Sequence, residues 1–318
     1  MDIEALWKEK KQLCKQLSGA VCAHDFDNNI NFEVLSDKKI SGFTSNTKFQ
    51  AASLSKLVGT IVCAMFLEKT GQSLACSLEN KLLIPVLKQT TLKHIFSHSA
   101  GINVSGFPGY ENTPLPKIQD IITGKNGTNT EAIIQSLPLG KYSYSGGGYC
   151  LAQEYIERLF HKKINEMADK LLFRPLLLIN TTFDILKSDA NCAVGHNSKG
   201  EKIGTLGWHL YPETIAAGLW TTPVEYLKIL NELIKGHDNK SVIISMAIAQ
   251  EILTPFVDCE EDGTHFKYGL GVRYSENIYW HSGSNQGYKS FFAFDLDSKK
   301  AFVIMCNDDN AEDIFSVL

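Results

Sequence analysis

Residues 49–71 read FQAASLSKLVGTIVCAMFLEKTG, and the reading of this stretch decides the fold. Ser53 and Lys56 stand three apart at the front of a helical pattern, which puts both side chains on one face. A serine hydroxyl is a weak nucleophile until a base takes its proton. A desolvated lysine one turn on can do so, because burial disfavours its charged form. A Ser-x-x-Lys match arises by chance about once or twice in a chain of this length. A second match, Ser36 and Lys39 in LSDKKI, lies in polar, turn-like text with nothing to bury Lys39. Ser53 and Lys56 lead instead into the mostly apolar run 57–67, closed by Lys69 and Gly71 as a helix end.

The 318 residues allow one large or two intimately packed domains, and 44% hydrophobic with 21% charged residues describe an ordinary globular protein. A net charge of −4 gives no reason to expect a nucleic acid or an anionic membrane as partner. The opening MDIEALWKEKKQLCKQL reads as a charged amphipathic helix without a secretory h-region, and the run 57–67 is too short to span a bilayer. Eight cysteines are scattered without a CxxC pair. Together these features point to a reducing, cytoplasmic setting and to no metal or other cofactor. His94 and His98 have zinc-ligand spacing, but Ile95 stands where a zinc peptidase helix carries its glutamate. Capping of the Gly101 turn is the expected role of His98. A GxSxG elbow and a phosphate loop are both absent from the sequence.

Strand-like text occurs around 18–24, 31–35 and 47–51, and again from Tyr268 onward, with a hairpin turn at LDSKK. Between them the patterns are mainly helical, at 92–97, 131–137, 149–159, 164–172 and 223–233, and a short helix is expected from Ala311. The expectation is an α+β fold: an antiparallel sheet formed by N- and C-terminal segments, flanked by helices, with an inserted mainly helical domain. The division would be 1–52 plus 255–318 for the sheet domain and 53–254 for the helical one, with the active site at their interface.

Two more segments carry chemistry. In LGKYSYSGGGYCLAQEYIERL (139–159), Tyr144 and Ser145 precede Gly146, Gly147 and Gly148 and then a helical run. Such glycines let backbone approach a ligand closely, and a tyrosine there can relay a proton. A packed aromatic before a glycine turn is the competing structural reading. In IYWHSGSNQGYKSFF (278–292), a strand is expected to end at Trp280 and a second to open after Gly287. Gly283 would let substrate lie along this edge, backbone N–H groups could donate to an oxyanion, and His281 could bind a carboxylate or move a proton. A hairpin histidine can equally be incidental. Trp208, Tyr211 and Trp220 read equally well as pocket lining or as packing.

Ser53-Leu54-Ser55-Lys56, Tyr144-Ser145-Gly146 and His281-Ser282-Gly283 occur in this order, 91 and 137 positions apart. This resembles the serine β-lactamase and penicillin-binding-protein superfamily, in its class C β-lactamase-like branch, which also holds D-amino-acid peptidases and family VIII-type esterases. LKHIFSHSAGI, AAGLWTTPVEYLKIL and YGLGVRY are similar to further segments of that branch, and the likeness runs over roughly residues 15–310. The resemblance implies that Ser53 attacks a carbonyl to form an acyl-enzyme, Lys56 accepts or relays its proton, and Tyr144 delivers a proton to the leaving group. It implies an oxyanion hole from the N–H groups of Ser53 and Ser284, with Ser145, Gly146, His281 and Gly283 at the substrate. Gly146 replaces the asparagine of the family's Tyr-Ser-Asn, and His281 replaces the lysine of its Lys-Thr-Gly. Both changes point away from antibiotic hydrolysis. They favour a serine hydrolase cleaving a small ester or amide, esterase-like above the rest. A β-lactamase, a D-amino-acid peptidase or amidase, an acyltransferase or cyclase, and a silent binding scaffold are the alternatives.

Overall fold

In the computed structural model, which describes residues 2–37, 42–125 and 127–311, strands from both ends of the chain pair into one sheet. Helix α1 (Ile3–Leu13) starts at Asp2, whose carboxylate accepts from Glu4 N, and leads to the hairpin β1 (Ala20–Asp25) and β2 (Ile30–Val34). The short strand β3 (Phe49–Gln50) runs through a 3₁₀ turn, Ala52–Leu54, into α2 (Ser55–Lys69). There follow α3 (Leu92–Phe96), α4 (Ile118–Thr123), α5 (Gly146–Phe160), α6 (Ile164–Ala168), α7 (Thr214–Ala217), β4 (Trp220–Thr221), α8 (Pro223–His237) and α9 (Met246–Leu253). Six strands close the described chain: β5 (Val257–Glu261), β6 (Thr264–Tyr268), β7 (Arg273–Ser275), β8 (Ile278–Asn285), β9 (Tyr288–Asp295) and β10 (Ala301–Cys306).

The sheet has eight strands in the order β2-β1-β10-β9-β8-β7-β6-β5, and every pairing is antiparallel. The N-terminal hairpin thus completes the sheet against the last strand, as the strand text at both ends predicts. Both faces of its centre are covered. β10 is apolar without alternation because Val303 and Met305 enter the core beneath the helices, whereas Phe302 and Ile304 enter a second core under α1. Helix α2 is buried nearly all round. It crosses α7 at Gly59, where a Cβ would stand 2.5 Å from Ile215 Cβ, so the two backbones meet closely.

The structure departs from the sequence reading in four places. Residues 131–137 form no helix: their backbone pairs with 101–103 through Ile102 opposite Gln135 and through Ser136 and Leu137 N–H groups on Gly101 O. The hairpin β5–β6 falls in text read as neither helix nor strand. Its turn, Asp262-Gly263, has φ of +49° and +79°, the paired left-handed conformation that Asp-Gly favours between twisted strands. Strand β3 pairs with β4, outside the main sheet. Strand β8 continues past Trp280 to Asn285, and the helix expected from Ala311 lies outside the described residues.

Candidate active site

Ser53 sits in the middle of the 3₁₀ turn, half-buried, behind a residue in an unfavourable backbone state. Ala52 has φ +49°, a left-handed conformation that a side chain disfavours. The surroundings hold it there. The Ala51 carbonyl accepts from Ser290 Oγ at 2.7 Å and Ala51 N donates to Leu219 O at 2.9 Å. The Ala52 carbonyl accepts from Ser55 Oγ at 2.5 Å, and Ser55 Oγ accepts from Leu219 N at 3.0 Å. Three chain segments therefore fix the turn that presents Ser53.

Lys56 is 2% exposed, and its Nζ lies 3.2 Å from Ser53 Oγ while donating to Ala216 O at 2.8 Å. Lys56 Nζ also stands 5.1 Å from the Tyr144 ring centroid and 5.4 Å from that of Tyr149. Among the described residues it has no carboxylate partner. Ser53 and Lys56 on one stretch of chain and Tyr144 on another are thus brought into one place. The other Ser-x-x-Lys serine, Ser36, donates to Leu17 O, and Lys39 lies outside the described residues.

The Tyr144 segment is gripped by the chain itself. Ser145 is the N-cap of α5: its Oγ accepts from Gly148 N at 3.0 Å and donates to Asn103 O at 2.8 Å. Gly146 N donates to Ser105 O and Gly147 N to Val104 O, so the loop 103–107 lies flat on the helix start. A Cβ at Gly146 would come 2.7 Å from the Phe107 ring, and one at Gly147 would come 2.6 Å from Asn103 O. Gly146 and Gly147, read with Gly148 as room for a ligand, are closed over by this loop, and Ser145 is spent on the cap. The space an asparagine would need at 146 holds Phe107. Val104 has φ +62°, a strained value for a β-branched residue, at the edge of an open recess of about 450 Å³ that Asn103, Ser105, Glu131, Ser143 and Tyr144 line.

The third motif lies on β8 past the point where β7 stops. Among the described residues, 281–285 pair on the β9 side only. Gly283 presses directly on the nucleophile's turn: a Cβ there would stand 2.6 Å from Ala51 O and 2.9 Å from Ser53 N. Ser284, next along the strand, is exposed, and its Oγ accepts from Lys289 Nζ at 2.7 Å. His281 differs from the expected cation. It is 1% exposed, its Nδ1 donates to Ser282 O at 2.6 Å, and its Nε2 accepts from Tyr268 Oη at 2.7 Å. Burial first, then the charges of Arg273 and Lys56, hold its pKa well below the usual imidazole value, so the ring is neutral.

His98, expected to cap the Gly101 turn, packs instead against the Tyr144 segment. It is 1% exposed, has φ +57°, and is surrounded by the rings of Tyr142, Tyr144, Tyr149 and Tyr268. Burial, followed by Lys56, His281 and Arg273, keeps it neutral as well. His94 turns elsewhere, to Thr91 Oγ1 at 2.8 Å and the Phe256 ring. Trp208 and Trp220 pack edge-to-face at 5.2 Å in the core, and Tyr211 is likewise buried. No described helix is long and apolar enough to cross a membrane.

Residues 28–316 match the beta-lactamase family. Among solved structures, the fold is similar to that of the octameric penicillin-binding protein homologue from Pyrococcus abyssi, with a TM-score of 0.77 and 19% identity over 98% of this chain and 74% of that one. It is similar to the penicillin binding protein from Bacillus halodurans, with a TM-score of 0.75 and 19% identity over 99% and 97% of the two chains. The D-amino acid amidase from Ochrobactrum anthropi SV3, complexed with L-phenylalanine amide, gives a TM-score of 0.75 at 16% identity over 98% of each. The fold is that of the serine β-lactamase and penicillin-binding-protein superfamily of serine hydrolases. Within it, the chain belongs to the beta-lactamase family.

Proposed function

We propose that the protein hydrolyses a small ester or amide through an acyl-enzyme on Ser53, with esters the easier substrates. The contact that carries this reading is Lys56 Nζ at 3.2 Å from Ser53 Oγ, in a buried pocket where the lysine has no described carboxylate to occupy it. In this reading Lys56 accepts or relays the Ser53 proton as Oγ bonds to the substrate carbonyl carbon. Charge growing on the carbonyl oxygen is met by the N–H groups of Ser53 and Ser284, which the close contact of Gly283 with the Ser53 turn favours. Tyr144, whose ring faces Lys56, returns a proton to the departing alkoxide or amine, and water then attacks the acyl-enzyme with the same groups acting in reverse. The polar recess beside Tyr144 has the volume of a small-molecule site. All eight cysteines are free thiols, which supports a reducing, cytoplasmic setting.

A fluorophosphonate probe tests the reading: intact mass should rise by one adduct, mapped to Ser53, and p-nitrophenyl esters should turn over. Ser53→Ala should abolish both, while Ser36→Ala leaves them unchanged. An unlabelled, inactive wild type would end the hydrolase reading. Labelling of a different serine would move the nucleophile.

A further inference from the structure

We propose that His98 is the positioning residue of Tyr144, acting as the first member of a directed hydrogen-bond chain His98–Tyr268–His281 that ties the tyrosine segment to strand β8. The inference deepens the proposed function and rests on its use of Tyr144 as proton donor.

His98 holds the tripeptide around Tyr144 at three points. Its carbonyl accepts from Ser143 N at 2.7 Å, and its ring Nδ1 accepts from Ser145 N at 3.0 Å, so the backbone is fixed on both sides of Tyr144. Between these points the imidazole lies against the Tyr144 ring, with centroids 4.2 Å apart and planes 33° from parallel. Three restraints on one residue leave the phenol little freedom beside Lys56.

The polarity of the chain follows from which atoms can only donate or only accept. Ser145 N–H can only donate, so His98 Nδ1 is the bare nitrogen and Nε2 carries the proton. That proton points to Tyr268 Oη at 3.2 Å. At the far end Ser282 O can only accept, so His281 carries its proton on Nδ1 and offers a bare Nε2. The Tyr268 hydroxyl therefore donates to His281 Nε2 at 2.7 Å and accepts from His98. Each member fixes the tautomer or rotor of the next. His281, three residues from Ser284, thereby shares one rigid network with the residue that holds Tyr144.

Leaving-group dependence separates positioning from simple stability. An activated p-nitrophenyl ester departs without needing a proton, whereas an unactivated alkyl ester needs one from Tyr144. His98→Ala should lower kcat/KM, which reports acylation and so the leaving-group step, for the alkyl ester by about 10²-fold, the scale of a misplaced general acid. The loss on the p-nitrophenyl ester should be much smaller. Tyr268→Phe keeps the ring and deletes only the hydroxyl, and should show the same selectivity at roughly 3–10-fold, the scale of one hydrogen bond. His98→Phe, which restores the ring but not the acceptor, should fall between wild type and alanine. Thermal unfolding run beside each assay removes variants that fail to fold, and Tyr268→Phe then carries the test alone. Equal losses on both ester types, or no loss on either, would overturn the proposal while leaving a labelled Ser53 and the hydrolase reading intact. A wild type that neither labels nor turns over would overturn both.

Discussion

The glycines at 146 and 147 and the glycine at 283 both mark places where backbone meets something at less than a side chain's distance, but they meet different things. Over Gly146 and Gly147 lies the loop 103–107, held by hydrogen bonds and by Phe107. Against Gly283 lies the turn of Ser53 itself. The first set anchors a helix start and its tyrosine, whereas the second brings strand and nucleophile into contact. A glycine in a sequence therefore announces a close approach without naming the partner. The two regions are not independent, because His98 belongs to the first, His281 to the second, and Tyr268 joins them.

The sharpest way to break this contrast is Gly283→Ala. The new Cβ would meet the Ala51 carbonyl and Ser53 N, neither of which is a movable side-chain end. We expect a stability loss of about 1–3 kcal/mol and a fall in ester turnover of about 10²-fold or more, since β8 must shift away from the nucleophile. Gly147→Ala meets the Asn103 carbonyl at 2.6 Å and should cost a similar ~1–3 kcal/mol, but with a smaller effect on turnover, because the serine turn is untouched. Urea titrations alongside kcat/KM check both. If Gly147→Ala proved the more damaging to turnover, the division of labour drawn here would be reversed.

Acid should weaken both regions together through the shared network. His98 and His281 have pKa values well below 6.5 in the folded chain, against an ordinary value near 6.5 when unfolded. The unfolded chain thus binds protons first as pH falls, so their contribution is complete above about pH 6.5 and is lost progressively below it. Each histidine adds up to about 1.4 kcal/mol per pH unit to the slope. Denaturation at pH 6.5 and 5.5 checks this: buried Glu213, its carboxyl pushed up to about 8 by burial, offsets at most one histidine's slope, so a flat profile there would count against two buried neutral imidazoles. The smallest effect is expected at Gly148→Ala, whose Cβ would sit at an ordinary 3.4 Å from Ile95 in a helical backbone. A gain of about 0.5–1 kcal/mol from reduced unfolded-state freedom is expected, read as a raised urea midpoint with unchanged turnover.

Much of the fold is legible in the residues. The run 57–67 becomes the buried helix α2, ending at Lys69 with Gly71 at φ +68°, and the LDSKK turn does join β9 to β10. The hairpin β5–β6 is only half legible. Its Asp-Gly turn is a strong signal, yet VDCEE and THFKY carry too many exposed polar residues to look like strands. The segment 131–137 misleads for the opposite reason. Ile134 and Leu137 fit a helical spacing, but they end up about half exposed, and the backbone finds its partners at 101–103.

The sequence by itself determined the order of the three motifs and the residue types that could do acyl transfer, because those depend on chemistry and on spacing along one helix face. Strand text at both ends with helical text between also pointed to one sheet built from the two termini. Only the tertiary structure decided what fills the space around those residues. Whether His281 is a cation or a neutral link, and whether Gly146 admits a ligand or Phe107, turns on burial and on partners brought in by the fold, Tyr268 for both His281 and His98 and Phe107 for Gly146. Desolvation and hydrogen-bond direction are set by atoms in space, and the order of residues along the chain does not carry them.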